Sequence, residues 1–306
     1  MIINDHNYYL IASYPKSGNT WCRLFIKELI NITNLSIKSP KISKKHKDVE
    51  LLNLNSNLST GAIISNRRWF DDQIGIDSIE LTEYEIDQLR LRVNNQKCSF
   101  SDTLRFHKVH DAFSKKDCID KPNISTKNCL GVLYLIRNPA DIIASMESFF
   151  GWSRQNCFDF IINPDAILGI HKNAYTDQIS QYLGTWEHHV NSWTRQNTVP
   201  KITIRYEDLI LNPLINFNKI ADFFEINCSK NEIKIANEKC NFKTLSKKEK
   251  ENGFLEAPSN GNRFFRKGVV GDGLNKLNSS QINLLEETFK STLKKYNYNL
   301  KDGIFY

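Results

Sequence analysis

The group of residues with the plainest chemical capacity is Tyr14-Pro15-Lys16-Ser17-Gly18-Asn19-Thr20-Trp21. It follows an apolar run and precedes an apolar stripe at helical spacing, so its backbone N–H groups open a helix. Such N–H groups, with the helix dipole behind them, favour an anion at that point. Gly18 allows close backbone approach, Lys16 adds a positive charge and Thr20 a hydroxyl donor. The segment reads as a phosphate cradle, without the G-x-x-x-x-G-K-[ST] pattern of nucleoside triphosphatases. An ordinary strand–turn–helix with a solvated lysine fits the same spacing. Arg137 stands at the end of a second apolar run, where a planar guanidinium suits phosphate oxygens. Ser145 lies about two turns into the following helix, and an ion pair of Arg137 with Asp141 is the plainer alternative. Lys108 and His110 alternate along a strand and so share one face, with Val109 turned to the core and His107 turned away. A basic-x-His pair on one face implies that the face borders a site. Arg266-Lys267-Gly268-Val269-Val270-Gly271-Asp272 adds charge inside a long aperiodic stretch.

The elements that must position these residues follow from periodicity. Tyr8 to Tyr14 is a buried strand, and Trp21, Leu24, Phe25, Leu29 and Ile30 form one helical stripe. Residues 36 to 60 read as loop and Gly61 to Ser65 as a short strand. Leu81 to Val93 reads as a helix capped by Thr82 with Glu85 three residues on. Thr103 to Val109 is a strand. Cys129 to Ile136 is an unbroken apolar run, the mark of a strand buried on both faces of a parallel sheet. Asn138 and Pro139 open a helix to about Phe150 as cap and first residue. Residues 151 to 176 read as irregular. Ile179, Tyr182, Leu183, Trp186, Val190 and Trp193 read as a helical stripe and Lys201 to Arg205 as a strand. Helical segments start from Asp208 as cap, and residues 243 to 275 read as a long loop. Ser279 to Tyr296 reads as a terminal helix. Strands alternating with helices predict a three-layer α/β sandwich: a mostly parallel central sheet with helices on both faces, ligands binding beyond the strands' carboxyl ends.

Composition narrows the partners. The chain has 306 residues, 40% of them hydrophobic, and a formal net charge of +7, which favours anionic ligands. The basic clusters Lys44-Lys45-His46-Lys47 and Lys247-Lys248 do not alternate with aromatics, so no nucleic-acid partner is expected. The seven cysteines show neither Cys-x-x-Cys nor zinc spacing, so neither a metal nor a disulfide framework is expected. The start of the chain lacks a basic-then-apolar leader, and no window approaches the roughly 18 apolar residues of a membrane span. A cytoplasmic location is the expectation.

In order, these segments resemble the motifs of the sulfotransferases that use 3′-phosphoadenosine 5′-phosphosulfate (PAPS), from Tyr8 to about Asn275. Residues 14 to 21 resemble that family's 5′-phosphosulfate loop. Residues 135 to 145 resemble its 3′-phosphate segment, with Arg137 and Ser145. The resemblance makes Arg266, Lys267 and Gly268 further 3′-phosphate ligands. It places Tyr206, of Tyr206-Glu207-Asp208-Leu209, at the adenine end, with Trp21 and Phe242 stacking on the base. Cys240 departs from the family's usual threonine before that phenylalanine. Gly273-Leu274 departs from its usual Trp-Lys or Trp-Arg, which leaves the packing of that loop open.

The resemblance implies a P-loop-like nucleotide-binding fold in one domain, residues 1–306. Residues 36–100 and 146–200 would be acceptor-side insertions and 243–275 a cofactor-covering loop. It implies a metal-free in-line transfer of the sulfuryl group from PAPS to a hydroxyl or amine, leaving adenosine 3′,5′-bisphosphate. The acceptor would be a small molecule or glycan. His110 would be the base and Lys16 and Lys108 the other catalytic residues. Lys16, Ser17, Gly18, Asn19, Thr20 and Trp21 would hold the donor's 5′ end. Activity is then expected to fall as pH drops through the imidazole range. A P-loop nucleotide kinase and a silent nucleotide-binding module are the rival readings. The oligomeric state stays open.

Overall fold

The computed structural model describes residues 8–33, 64–93, 105–115, 122–169, 176–258 and 260–303. The apolar runs become strands β1 (Tyr8–Ser13), β2 (Arg105–Val109), β3 (Cys129–Ile136) and β6 (Lys201–Arg205). They form a parallel sheet in the order β2-β1-β3-β6. The two most apolar runs, β1 and β3, are its interior strands, as expected of segments that must bury both faces. A short antiparallel pair, β4 (Ile167–Leu168) and β5 (Gln181–Tyr182), stands apart.

Alternation along β1 divides the core. Tyr9 and Ile11, with Leu133 and Leu135 of β3, meet α1 (Asn19–Ile32), α8 (Pro213–Phe223) and α9 (Lys230–Cys240) on one face. Tyr8, Leu10 and Ala12, with Val132 and Tyr134, meet α4 (Pro139–Phe150), α5 (Arg154–Ile162) and α6 (Trp186–Arg195) on the other. Helices α11 (Ser279–Thr288) and α12 (Lys290–Lys295) complete that second layer. Helix α2 (Arg67–Ile74) and helix α3 (Glu83–Val93) make a small satellite core around Phe70. From β1 the chain runs to β2 on one side, and from β3 to β6 on the other. The crevice between the carboxyl ends of β1 and β3 is thus the switch point where such sheets bind ligands.

Several expectations need correction. Residues 151–176 are not wholly irregular, because Ser153 caps α5 by accepting from Asn156 N. The stripe from Ile179 is not one helix: Gln181–Tyr182 is β5, and α6 starts only after Thr185, whose hydroxyl accepts from His188 N. Asp208 lies in the first turn of α7 (Tyr206–Leu211) and Arg205 precedes it as cap. The stretch from 243 is helical at first, as α10 (Phe242–Asn252), since Asn241 caps it at Thr244 N. The terminal helix breaks at Phe289. Ile64 and Ser65 lie in a turn, with Gly61–Ile63 outside the described residues, as are the loop at 36–60 and the Lys44–Lys47 cluster. Among the described residues, no helix is long and apolar enough to cross a membrane.

Candidate active site

The turn after β1 is shaped by two left-handed residues. Lys16 has φ 68° and Gly18 φ 95°. Positive φ in a lysine is uncommon and concentrates at functional turns. At Gly18 a Cβ would lie 2.7 Å from the Tyr206 ring, so only glycine fits. No side chain caps the start of α1, so its first N–H groups point at the cavity unpaired by the helix. Asn19 departs from a ligand role through its side chain. Its amide donates to Ile11 O at 2.9 Å and its Oδ1 accepts from Arg23 Nε at 3.0 Å, so only its backbone is free to face an anion.

Lys16, Gly18, Asn19, Thr20 and Trp21 line one cavity of about 390 Å³ together with Lys108, His110, Arg137, Ser145, Tyr206, Phe242, Arg266, Lys267 and Gly268. Segments as far apart in sequence as Lys16 and Gly268 thus converge on one space. Ser17 alone among the expected residues is fully buried off its wall, with its hydroxyl lacking a partner among the described residues. A second cavity of about 230 Å³ adjoins, walled by Trp21, Tyr206, Phe242 and Gly268 and by Leu209, Pro213 and Leu245. Trp21 is fixed there by donating from Nε1 to Cys240 O at 2.8 Å. The wall of this space is mostly apolar.

Arg137 reaches across the switch point, donating to the Lys16 carbonyl at 3.0 Å, stacking 4.2 Å over Tyr206 and lying 3.7 Å from Asp141. Its Nε is buried with no partner among the described residues, a donor that an incoming oxyanion would satisfy. The basic loop is docked by Asp141, whose carboxylate accepts from Gly271 N at 2.9 Å and Gly273 N at 2.7 Å. Gly273 packs against the Ala140 backbone so closely that no side chain fits there. A tryptophan at this position would need the loop to sit farther from α4. Arg266 and Lys267 both pair with Asp272, which leaves them on the cavity rim.

His110 stands one residue beyond β2. Its Nδ1 lies 2.8 Å from the Ser13 carbonyl, which can only accept, so Nδ1 carries the hydrogen and Nε2 keeps its lone pair. Burial, with the neighbouring Lys108 charge, pushes its pKa well below 6.5. His107 instead packs on Tyr8 and Trp69, away from the cavity. Burial brings Lys16 down to about 7, with Lys108 adding to the drop, and Lys108 down to about 8. The Lys16 ammonium rests 3.5 Å from the Phe149 ring and 4.4 Å from Phe264. Arg90, buried, pairs with Asp111 and also donates to Ser180 O, tying the residue after His110 to the residue just before β5.

Four participants had no signal strong enough to be singled out in the sequence. Phe149 and Phe264 are two among 18 phenylalanines, and Glu256 lies where no period helps. Arg23 lies away from the stripe of Trp21, Leu24 and Phe25, where an exposed charge is the ordinary expectation. Leu168, Gln178 and Gln181 line the cavity's remaining side.

This fold is that of a known class. The sequence profile of the sulfotransferase domain matches residues 7–297, and the chain belongs to that family. It is similar to mouse sulfotransferase 2A2 at 26% identity over 93% of this chain and 83% of that protein. It is also similar to mouse sulfotransferase 2A6 at 25% identity, and to Arabidopsis thaliana cytosolic sulfotransferase 15 at 29% identity. Those two matches take in 53% and 56% of this chain and span about half of the relatives, 56% and 47% respectively. Among solved structures, the fold is similar to mouse sulfotransferase SULT7A1 complexed with PAP, with TM-score 0.56 and 19% identity over 94% of this chain and 85% of that one. It is also similar to retinol dehydratase in complex with androsterone and inactive cofactor PAP, with TM-score 0.54 and 15% identity over 96% and 82%.

Proposed function

We propose that this chain transfers the sulfuryl group of PAPS to a hydroxyl or amine of a small-molecule or glycan acceptor and releases adenosine 3′,5′-bisphosphate. The observation that carries the reading is the convergence of the helix-opening loop, the Lys108–His110 pair, Arg137 with Ser145, and the 266–268 loop on one cavity. The backbone N–H groups of residues 17 to 21 would hold the 5′ end of the donor, and Arg137, Ser145, Arg266, Lys267 and Gly268 its 3′-phosphate. Trp21, Tyr206 and Phe242 would hold the adenine.

In-line displacement at sulfur asks for positioning and charge stabilisation more than for a covalent enzyme intermediate. The acceptor hydrogen would pass to His110 Nε2, the open nitrogen of the ring. Lys16, on the loop under the 5′ end, would offset charge gathering on the oxygen that leaves with the phosphate. Lys108, on the same strand face as His110, would offset charge on the group in transit. Leu168, Gln178 and Gln181, which line the same cavity, would meet the acceptor.

The test is an acceptor screen with radiolabelled PAPS, preceded by calorimetry of nucleotides. Adenosine 3′,5′-bisphosphate should bind far better than ATP or adenosine 5′-phosphosulfate, and Arg137→Ala should remove most of that preference. Loss of one buried charge partner costs about 2–5 kcal/mol. Equal affinity for ATP and PAPS would end the reading.

A further inference from the structure

Glu256 sits among the cations of the cavity. Its carboxylate accepts from the Thr20 hydroxyl at 2.8 Å and from Arg23 Nη2 at 2.6 and 2.8 Å, and lies 3.9 Å from the Lys108 ammonium. Arg23 is 1% exposed and is fixed further by Asn19 Oδ1 at 3.0 Å and Thr20 Oγ1 at 3.0 Å. This guanidinium is therefore held in place behind Thr20 and Glu256, which line the cavity, and is not a surface charge that happens to find a partner. Burial alone would raise the Glu256 carboxyl, yet Arg23 and Lys108 outweigh it and hold the group at about 2, so the occupant is an anion.

One feature of the contact forces a choice. A hydroxyl has a single hydrogen. While Thr20 gives it to Glu256, Thr20 has none for an oxygen of the donor. A second anion brought to the same three groups would also meet the carboxylate's charge. We propose that Thr20, Arg23 and Lys108 form an anion subsite for the sulfuryl end of the donor, and that Glu256 is its resident occupant, displaced when the donor binds. The proposal rests on the donor reading above and adds Arg23 to the donor's ligands. The chain can make the exchange locally. Glu249 accepts from Phe264 N at 2.6 Å and Phe265 N at 3.0 Å, which stakes the far end of the Glu256 segment to α10. Phe254 packs on Phe264 and Phe265, so the part that would leave with Glu256 is the turn at 255–258.

Calorimetry on the parent, Glu256→Gln, and Glu256→Gln combined with Arg23→Lys tests this. An occupant present about nine-tenths of the time weakens apparent affinity about tenfold. Glu256→Gln should therefore bind PAPS about tenfold more tightly than the parent, with a smaller gain for adenosine 3′,5′-bisphosphate, which lacks the sulfuryl group. Adding Arg23→Lys should cancel the gain for PAPS, and thermal melting of each variant shows whether it is folded. In the parent, PAPS should speed amide exchange at residues 255–257 and slow it at 266–268. Unchanged or weaker PAPS binding by folded Glu256→Gln would overturn the proposal, as would unchanged exchange at 255–257 in saturated parent. A parent that binds neither nucleotide would sink the donor reading itself, and this proposal with it.

Discussion

At the scale of single residues, burial keeps a neutral histidine, the proposed base, among charged neighbours. His110 is pushed well below the usual imidazole range and so stays neutral, with an open Nε2, throughout ordinary pH. The acid limb of the rate profile should then lie below the normal histidine titration, which revises the expectation drawn from an unperturbed ring. The alkaline side belongs to the lysines. A lysine whose pKa is lowered keeps its charge below that value and loses it as pH rises through it. With Lys16 at about 7 and Lys108 at about 8, kcat/KM, which reports the free enzyme, should begin to fall near pH 7. A bound anionic donor favours the charged lysine, so the limb in kcat should sit at higher pH. His110→Asn should lower turnover by about 10²–10⁴-fold while nucleotide affinity stays near normal. His107→Ala should keep activity. Lys16→Ala should lower kcat more than it weakens donor binding, because its charge matters most in the transition state. Steady-state kinetics beside calorimetry separates these outcomes, and an active His110→Asn would refute the base.

At the scale of elements, two glycines and one aspartate decide how the loops meet. Gly18 brings α1 against Tyr206 with no room for a methyl group. Gly18→Ala combines that overlap with a backbone that L-residues avoid, a strain of about 1–3 kcal/mol. It should lower the melting temperature and weaken nucleotide binding together. Asp141 holds the basic loop through two backbone N–H groups from the first turn of α4. Asp141→Ala should loosen that loop, seen as faster amide exchange at 266–273, and reduce affinity for the 3′-phosphorylated nucleotide. Affinity for an unphosphorylated one should change little.

At the scale of the molecule, a ligand gripped by segments from most of the chain must stabilise all of them. Adenosine 3′,5′-bisphosphate at 100 times its Kd should add about 2.7 kcal/mol, read as a rise in melting temperature that ATP at equal concentration does not reproduce. The frame of this molecule was legible because its signals are local. Unbroken apolar runs named β1 and β3 as interior strands, and Asn138-Pro139 marked the start of α4. His110, the loop at 14–21 and Arg137 could be brought to one sheet edge in advance because each adjoins such a run. What escaped is what depends on contacts far apart in sequence. Nothing near Glu256 announces Arg23, 233 residues away, and nothing near Phe149 announces the lysine it supports. The same holds for the β5 strand, where a two-residue pairing passed for the start of a helical stripe because tertiary partners, not periodicity, set its conformation.

The bond from Arg137 to the Lys16 carbonyl spans the crevice between β1 and β3. On the proposed reading it also joins the floor of the 5′ subsite to the anchor of the 3′ subsite. The two therefore cannot drift apart independently, and the protein measures its donor as a gauge does, by the separation of its charged ends as well as by their charge. Any lineage or laboratory library that re-aims one end would shift the other. Nucleotide choice should accordingly be the slowest property of this scaffold to change, while the wall around Gln178 and Gln181, outside that brace, stays free to vary.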